Sequence, residues 1–207
     1  LARAHARLQH GNWDRAFPNA DVIPELYRRT IGLVGYGAVG QLVAHYLDAF
    51  GCRILAYDPY HHGDFAPATM ADLPALLQES DVVSLHARLS PETRHLIGAQ
   101  ELALMKPTAI LVNTARSGLV DEAALIRALS ERRIMGAALD VFDIEPLPAD
   151  HPLLRLDNVT LTSHLAGSTR DAFRNSPVLM AGHLARMLRG QGPLPVVNGV
   201  QPALRQL

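Results

Sequence analysis

Short apolar runs alternate with amphipathic stretches along almost the whole of this chain. The runs at 30–34, 53–57, 81–85, 109–112, 136–139 and 159–161 are mostly continuous rather than alternating, which is how strands buried on both faces read. Helical patterns stand between them, at 39–50, at 122–130 behind Asp121, and at 169–189. Asp72, with Pro74 two residues on, opens a further helix, and Ser168-Thr169-Arg170-Asp171 reads as a capping box for the last one. This rhythm predicts an α/β fold, a doubly wound parallel sheet of six strands with helices on both faces. A helical pattern at 1–8 comes before it. Residues 143–156, with three prolines and no period, predict a loop outside the sheet, and 190–195 read as the exit from the last helix.

The first run feeds directly into Gly35-Tyr36-Gly37-Ala38-Val39-Gly40 and then into a helix. A G-x-G-x-x-G turn between strand and helix is the phosphate-binding turn of a Rossmann-type dinucleotide fold. Gly35 allows the sharp turn, Gly37 lets a pyrophosphate approach the backbone, and Gly40 lets the helix pack on the strand. The helix would aim its free amides at the phosphates. The second run ends in Asp58, eighteen residues past Gly40. An acid there binds both ribose hydroxyls and repels a 2′-phosphate, so the expected cofactor is NAD rather than NADP. The expected division is a cofactor domain over 1–195 and a tail over 196–207.

Composition narrows the picture further. The chain has 207 residues, 48% of them apolar, and a net charge of -1 from 19 basic and 20 acidic residues. That is ample for a packed core and offers no electrostatic footprint for nucleic acid or a membrane surface. No apolar run is long enough to span a bilayer. Cys52 is the single cysteine, read as a buried structural thiol in a protein of the reducing cytoplasm. His61-His62 is read as a pair of solvated loop residues, so no metal is expected.

In a parallel sheet, ligands lie beyond the carboxyl ends of the strands. Arg116, Glu145 and His164 follow three of the predicted strands there, and His86 closes another. Reducing a 2-oxo acid requires a hydride donor, a cation for the carboxylate and a proton source. Arg116 offers a planar fork of donors, and His164 brings an imidazole, the side chain suited to give and take back a proton. Glu145 would orient the imidazole and favour its charged form. Asp140 is placed to accept a hydrogen bond from the nicotinamide carboxamide. Taken singly, each also reads blandly: a solvated cation, a loop carboxylate, a histidine capping backbone groups.

Four ordered segments carry a resemblance that covers nearly the whole chain. They are Ser84-Leu85-His86-Ala87-Arg88-Leu89-Ser90-Pro91-Glu92-Thr93-Arg94-His95-Leu96-Ile97, the stretch from Val112 to Glu122 around Arg116, the stretch from Ala138 to Leu147 ending in Glu145-Pro146-Leu147, and Thr162-Ser163-His164-Leu165-Ala166-Gly167. With the glycine turn, they resemble the signatures of the D-isomer-specific 2-hydroxyacid dehydrogenases. The resemblance implies Arg116 as the substrate-binding arginine, Glu145 as the histidine's partner and His164 as acid/base. It also implies cofactor contacts at Ala38, Val39, Asp58, Ala87, Thr114, Asp140 and Gly167, a 2-hydroxy or 2-oxo acid as substrate, and a homodimer. Three positions depart from the pattern: Ser117 replaces a glycine, Ser163 a proline before His164, and Arg88 a proline after the strand. Members of the family also have a second lobe built from both chain ends, almost none of which precedes Leu1, so cofactor binding is expected to outlast efficient turnover. The competing reading is a non-catalytic NAD sensor of corepressor type, or an inactive cofactor fragment.

Overall fold

The computed structural model describes residues 8–13 and 25–191. The helix expected at 1–8 and the tail over 196–207 fall almost wholly outside them. The chain divides into two compact units, Leu1–Thr162 and Ser163–Leu207.

The first unit holds seven parallel strands, β1 (Thr30–Val34), β2 (Arg53–Tyr57), β3 (Thr69–Met70), β4 (Val82–Leu85), β5 (Ile110–Asn113), β6 (Gly136–Leu139) and β7 (Val159–Leu161). Their spatial order is β3-β2-β1-β4-β5-β6-β7. The chain therefore winds outward from β1 in one direction, returns across it, and winds outward in the other. The six expected strands are present with ends shifted by a residue at most. β3 is additional: two residues paired with Leu55 and Ala56 are too short to leave a periodic signal.

Among the described residues four helices cover the sheet: α1 (Ala38–Ala49), α2 (Leu73–Glu79), α3 (Ala99–Leu104) and α4 (Glu122–Ser130). Their starts follow local chemistry. The Asp72 carboxylate accepts the Ala75 amide at 2.7 Å and Asp121 that of Ala124 at 2.9 Å, satisfying donors that a helix start leaves orphaned. Two cores result from the two faces. Ile31, Leu33, Ile54 and Ala56 pack with Ala44 of α1, while Val34, Leu55, Val83 and Leu111 pack with Leu76, Leu102 and Leu125 from the other helices. A Cβ on Gly32 would collide with the side chains of Leu76 and Ser80, so α2 lies directly on β1. Cys52, expected to be buried, is only half-buried at the entry to β2, with its thiol 3.4 Å from the Leu26 carbonyl. The 143–156 segment is a loop, as expected, with one 3-10 turn at Pro152–Arg155.

The second unit contains α5 (Arg170–Leu188). Its cap is Thr169, whose hydroxyl accepts the Ala172 amide at 3.0 Å, and not Ser168. That shift puts Asp171 at the second helical position, from which the expected capping box cannot form. The helix closes at Gly190, with φ of +67°. No helix of the described residues is long and apolar enough to cross a membrane.

Candidate functional site

Register aligns the carboxyl ends of five strands. Tyr57, Val34, Leu85, Asn113 and Leu139 stand side by side across β2, β1, β4, β5 and β6. Asp58 and Asp140 each lie one residue beyond this row, and Gly37, Arg88 and Arg116 each lie three beyond it on the neighbouring strands β1, β4 and β5. The winding reverses between β1 and β4, and that crevice is where doubly wound sheets bind ligands.

The three glycines of the turn differ in what surrounds them. Gly35 has φ of +96°, and a Cβ there would lie 2.5 Å from the Ala87 nitrogen; only glycine fits. A Cβ on Gly40 would strike the Gly35 carbonyl, so α1 starts in contact with the strand it leaves. At Gly37 a Cβ would meet nothing within 4 Å, and Gly37, Ala38 and Val39 are exposed. Protein packing leaves that face of the turn open, with the α1 amides behind it and no side-chain cap on the helix. This is the opening a dinucleotide pyrophosphate requires.

Asp58 is half-buried and fixed by two backbone donors. The Tyr36 amide donates to its Oδ2 at 2.8 Å and the Tyr60 amide to its Oδ1 at 2.9 Å. The Tyr36 ring is fully buried and stacks on Phe65 with centroids 5.1 Å apart. His61 meets both rings edge-on and bonds the Asp64 carbonyl at 3.1 Å. That histidine is packed rather than merely solvated.

A cavity of about 360 Å³ opens at the crevice, lined by Val39, Leu85, His86, Ala87, Arg88, Thr114, Ala115 and Arg116. It brings together four of the residues expected to meet cofactor or substrate, Val39, Ala87, Thr114 and Arg116, with His86 and Arg88, which the sequence also singled out. His86 Nε2 lies 3.0 Å from the Ser84 hydroxyl, and burial pushes its imidazole below the usual histidine range. Arg116 is exposed, and its Nη1 donates to the Ala115 carbonyl at 2.6 Å. The loop bearing it is shaped by Asn113, which is 2% exposed. Asn113 Nδ2 donates to the Arg116 carbonyl at 2.9 Å, and its Oδ1 accepts the Ala115 amide at 3.1 Å. The sequence reading gave Asn113 no role, although a strand-end asparagine whose side chain can bond the backbone two residues on is a recognisable signal.

Asp140, 2% exposed, accepts the Thr162 hydroxyl at 2.5 Å. Glu145 lies on the exposed loop, where its Oε1 accepts the Phe142 amide at 3.0 Å. His164 and Gly167 belong to the second unit. His164 has φ of +56°, a left-handed conformation in which histidine is among the better-tolerated side chains. A Cβ on Gly167 would meet nothing within 4 Å.

Residues 1–166 match the family model described as D-isomer specific 2-hydroxyacid dehydrogenase, NAD binding domain. The chain is 43% identical over 203 residues to the D-3-phosphoglycerate dehydrogenase of Methanocaldococcus jannaschii, covering 96% of this chain and 38% of that protein. It is also 43% identical over 203 residues to the glyoxylate reductase of Thermofilum pendens, covering 96% and 60%. Among solved structures, the NAD-complexed D-isomer specific 2-hydroxyacid dehydrogenase from Lactobacillus delbrueckii ssp. bulgaricus superposes with a TM-score of 0.82 at 34% identity, covering 95% of this chain and 64% of that one. The chain thus spans between about two fifths and two thirds of the length of these proteins.

Proposed function

The chain belongs to the D-isomer-specific 2-hydroxyacid dehydrogenases, as their NAD-binding domain, and from that premise we propose that the protein interconverts a D-2-hydroxy acid and a 2-oxo acid with NAD. The observation that carries this reading is the cavity at the sheet's switch point, where Arg116 shares a wall with Ala87 and Thr114 beside the open glycine turn. When bound, NAD would supply the hydride-transfer chemistry at the substrate's C2 carbon. Arg116 holds the substrate carboxylate and the carbonyl oxygen through its donor fork, stabilising negative charge on that oxygen during reduction. His164 gives the oxygen its proton in reduction and takes it back in oxidation. Glu145, with Oε1 already anchored by the Phe142 amide, is the carboxylate that the family resemblance pairs with the acid/base histidine. Asp140 accepts from the nicotinamide carboxamide, and Asp58 binds the adenosine ribose diol. The relatives bear enzyme names, which favours catalysis over a sensing role. A homodimer working in the cytoplasm belongs to the same proposal.

The test is NADH oxidation, followed by absorbance, in the intact protein with a panel of 2-oxo acids beside a His164→Ala variant. The variant should lose a factor of about 10²–10⁴ in turnover and keep its NADH affinity. Turnover equal to wild type in the variant would refute the assignment of His164.

A further inference from the structure

We infer that the Tyr36 side chain is a positioning residue for ribose recognition: through Phe65 and His61 it holds the loop after β2 in the shape that aims the Asp58 carboxylate at a vicinal diol. The inference rests on the reading of Asp58 as the ligand of the adenosine ribose.

Tyr36 stands between the first two glycines of the turn, yet it is fully buried where Gly37 is exposed. Each of its polar groups is engaged. The amide donates to Asp58 Oδ2 at 2.8 Å, the carbonyl accepts Gln41 Nε2 from α1 at 3.0 Å, and the hydroxyl donates to the Phe65 carbonyl at 2.6 Å. One residue of the turn thus grips the loop at two points, at Asp58 and again seven residues further on. The ring adds to that grip. Phe65 lies nearly parallel to it, with 15° between the planes, and His61 stands edge-on to both rings at 5.4 and 4.7 Å. Between the two points the loop closes on itself, with His61 Nε2 on the Asp64 carbonyl at 3.1 Å and the Ala66 amide donating to Asp64 Oδ1 at 2.9 Å.

The carboxylate torsion of an aspartate is broad and has no strong preference of its own, so Asp58 takes its orientation from what it bonds. Its Oδ2 is set by the turn, through the Tyr36 amide, and its Oδ1 by the loop, through the Tyr60 amide at 2.9 Å. Each oxygen keeps a further lone pair, and a diol draws on both oxygens at once. The two amides hold their spacing only while turn and loop keep their places, and the Tyr36 ring and hydroxyl join the one to the other.

Calorimetric binding of ADP and 2′-deoxyADP to the intact protein tests this, because the ratio of the two affinities reads the diol, whereas a merely structural role would weaken both nucleotides equally. Wild type should bind ADP at least about tenfold more tightly, the size of one hydrogen bond to a charged group. Tyr36→Phe removes the hydroxyl and keeps the ring, and Phe65→Leu removes the stack from the half-buried loop side. Each should reduce the ratio about threefold, as that bond loosens without breaking. A wild-type ratio in both variants would overturn the inference, whether or not both nucleotides bound more weakly. A wild-type protein that bound the two nucleotides alike would refute the assignment of Asp58 itself, a separate result from insensitivity to Tyr36.

Discussion

Replacing Asn113 with alanine should damage both the fold and the substrate side of the site, because one buried amide holds the loop that presents Arg116. Its two hydrogen bonds, at 2.9 and 3.1 Å, run to the Arg116 carbonyl and the Ala115 amide. Each is worth about 0.5–1.5 kcal/mol net. Arg116 is exposed and Ala115 half-buried, so the released backbone groups can take water and the full penalty for an orphaned group does not apply. The loss is therefore about 2 kcal/mol, a fall in Tm of about 4–8 °C at this chain length. Functionally, a guanidinium displaced by an ångström costs up to about 10²-fold in rate, so kcat/KM should fall by about 10–100-fold while NADH affinity stays within about twofold. Thermal unfolding, NADH titration and steady-state kinetics on the same preparation measure all three. Asn113→Asp keeps the acceptor for Ala115 but turns a buried carboxylate on the Arg116 carbonyl, so its defect should ease as acid protonates it. An alanine variant with unchanged Tm and kcat/KM would show that the loop holds Arg116 without this amide.

Two further perturbations separate structural from functional positions. Gly35→Ala forces a Cβ into left-handed backbone against Ala87 and should cost more than about 2 kcal/mol, whereas Gly37→Val should melt close to wild type and bind NADH at least tenfold more weakly, about 1.4 kcal/mol or more; melts and NADH titration distinguish them. Asp81 faces burial, which raises its pKa, but the Lys106 ammonium at 2.8 Å and the Thr30 amide outweigh that and hold the carboxyl below its usual range. A depressed folded pKa stabilises above the unfolded value of about 3.9 and is lost as pH falls through the folded one. Asp81→Asn should thus be destabilised by about 1 kcal/mol at neutral pH, and urea melts across pH should show the gap closing below about pH 4.

The sheet was legible in the sequence because strands buried on both faces must be continuously apolar, and Gly35, Gly37 and Asp58 were legible because their backbone and charge requirements admit few residue types. β3 was not, since two residues cannot show a period. Thr169 displaced Ser168 as the cap of α5 because both hydroxyls satisfy the same sequence rule and only backbone geometry chooses between them. The supporting contacts of the site, Asn113 on the Arg116 loop and the Phe142 amide on Glu145, depend on how loops fold back on themselves. Composition carries no trace of that.

The bond from the Tyr36 amide to Asp58 ties the shape of the glycine turn to the residue proposed to select the cofactor. An exchange at Asp58 to a residue without a side-chain oxygen, made to admit a 2′-phosphate, also removes the acceptor of the Tyr36 amide in the glycine loop. A route to NADP through this position therefore has to retain a side-chain oxygen within reach of that amide, as asparagine or serine does, and a direct jump to arginine would relax specificity by loosening the loop that grips either cofactor.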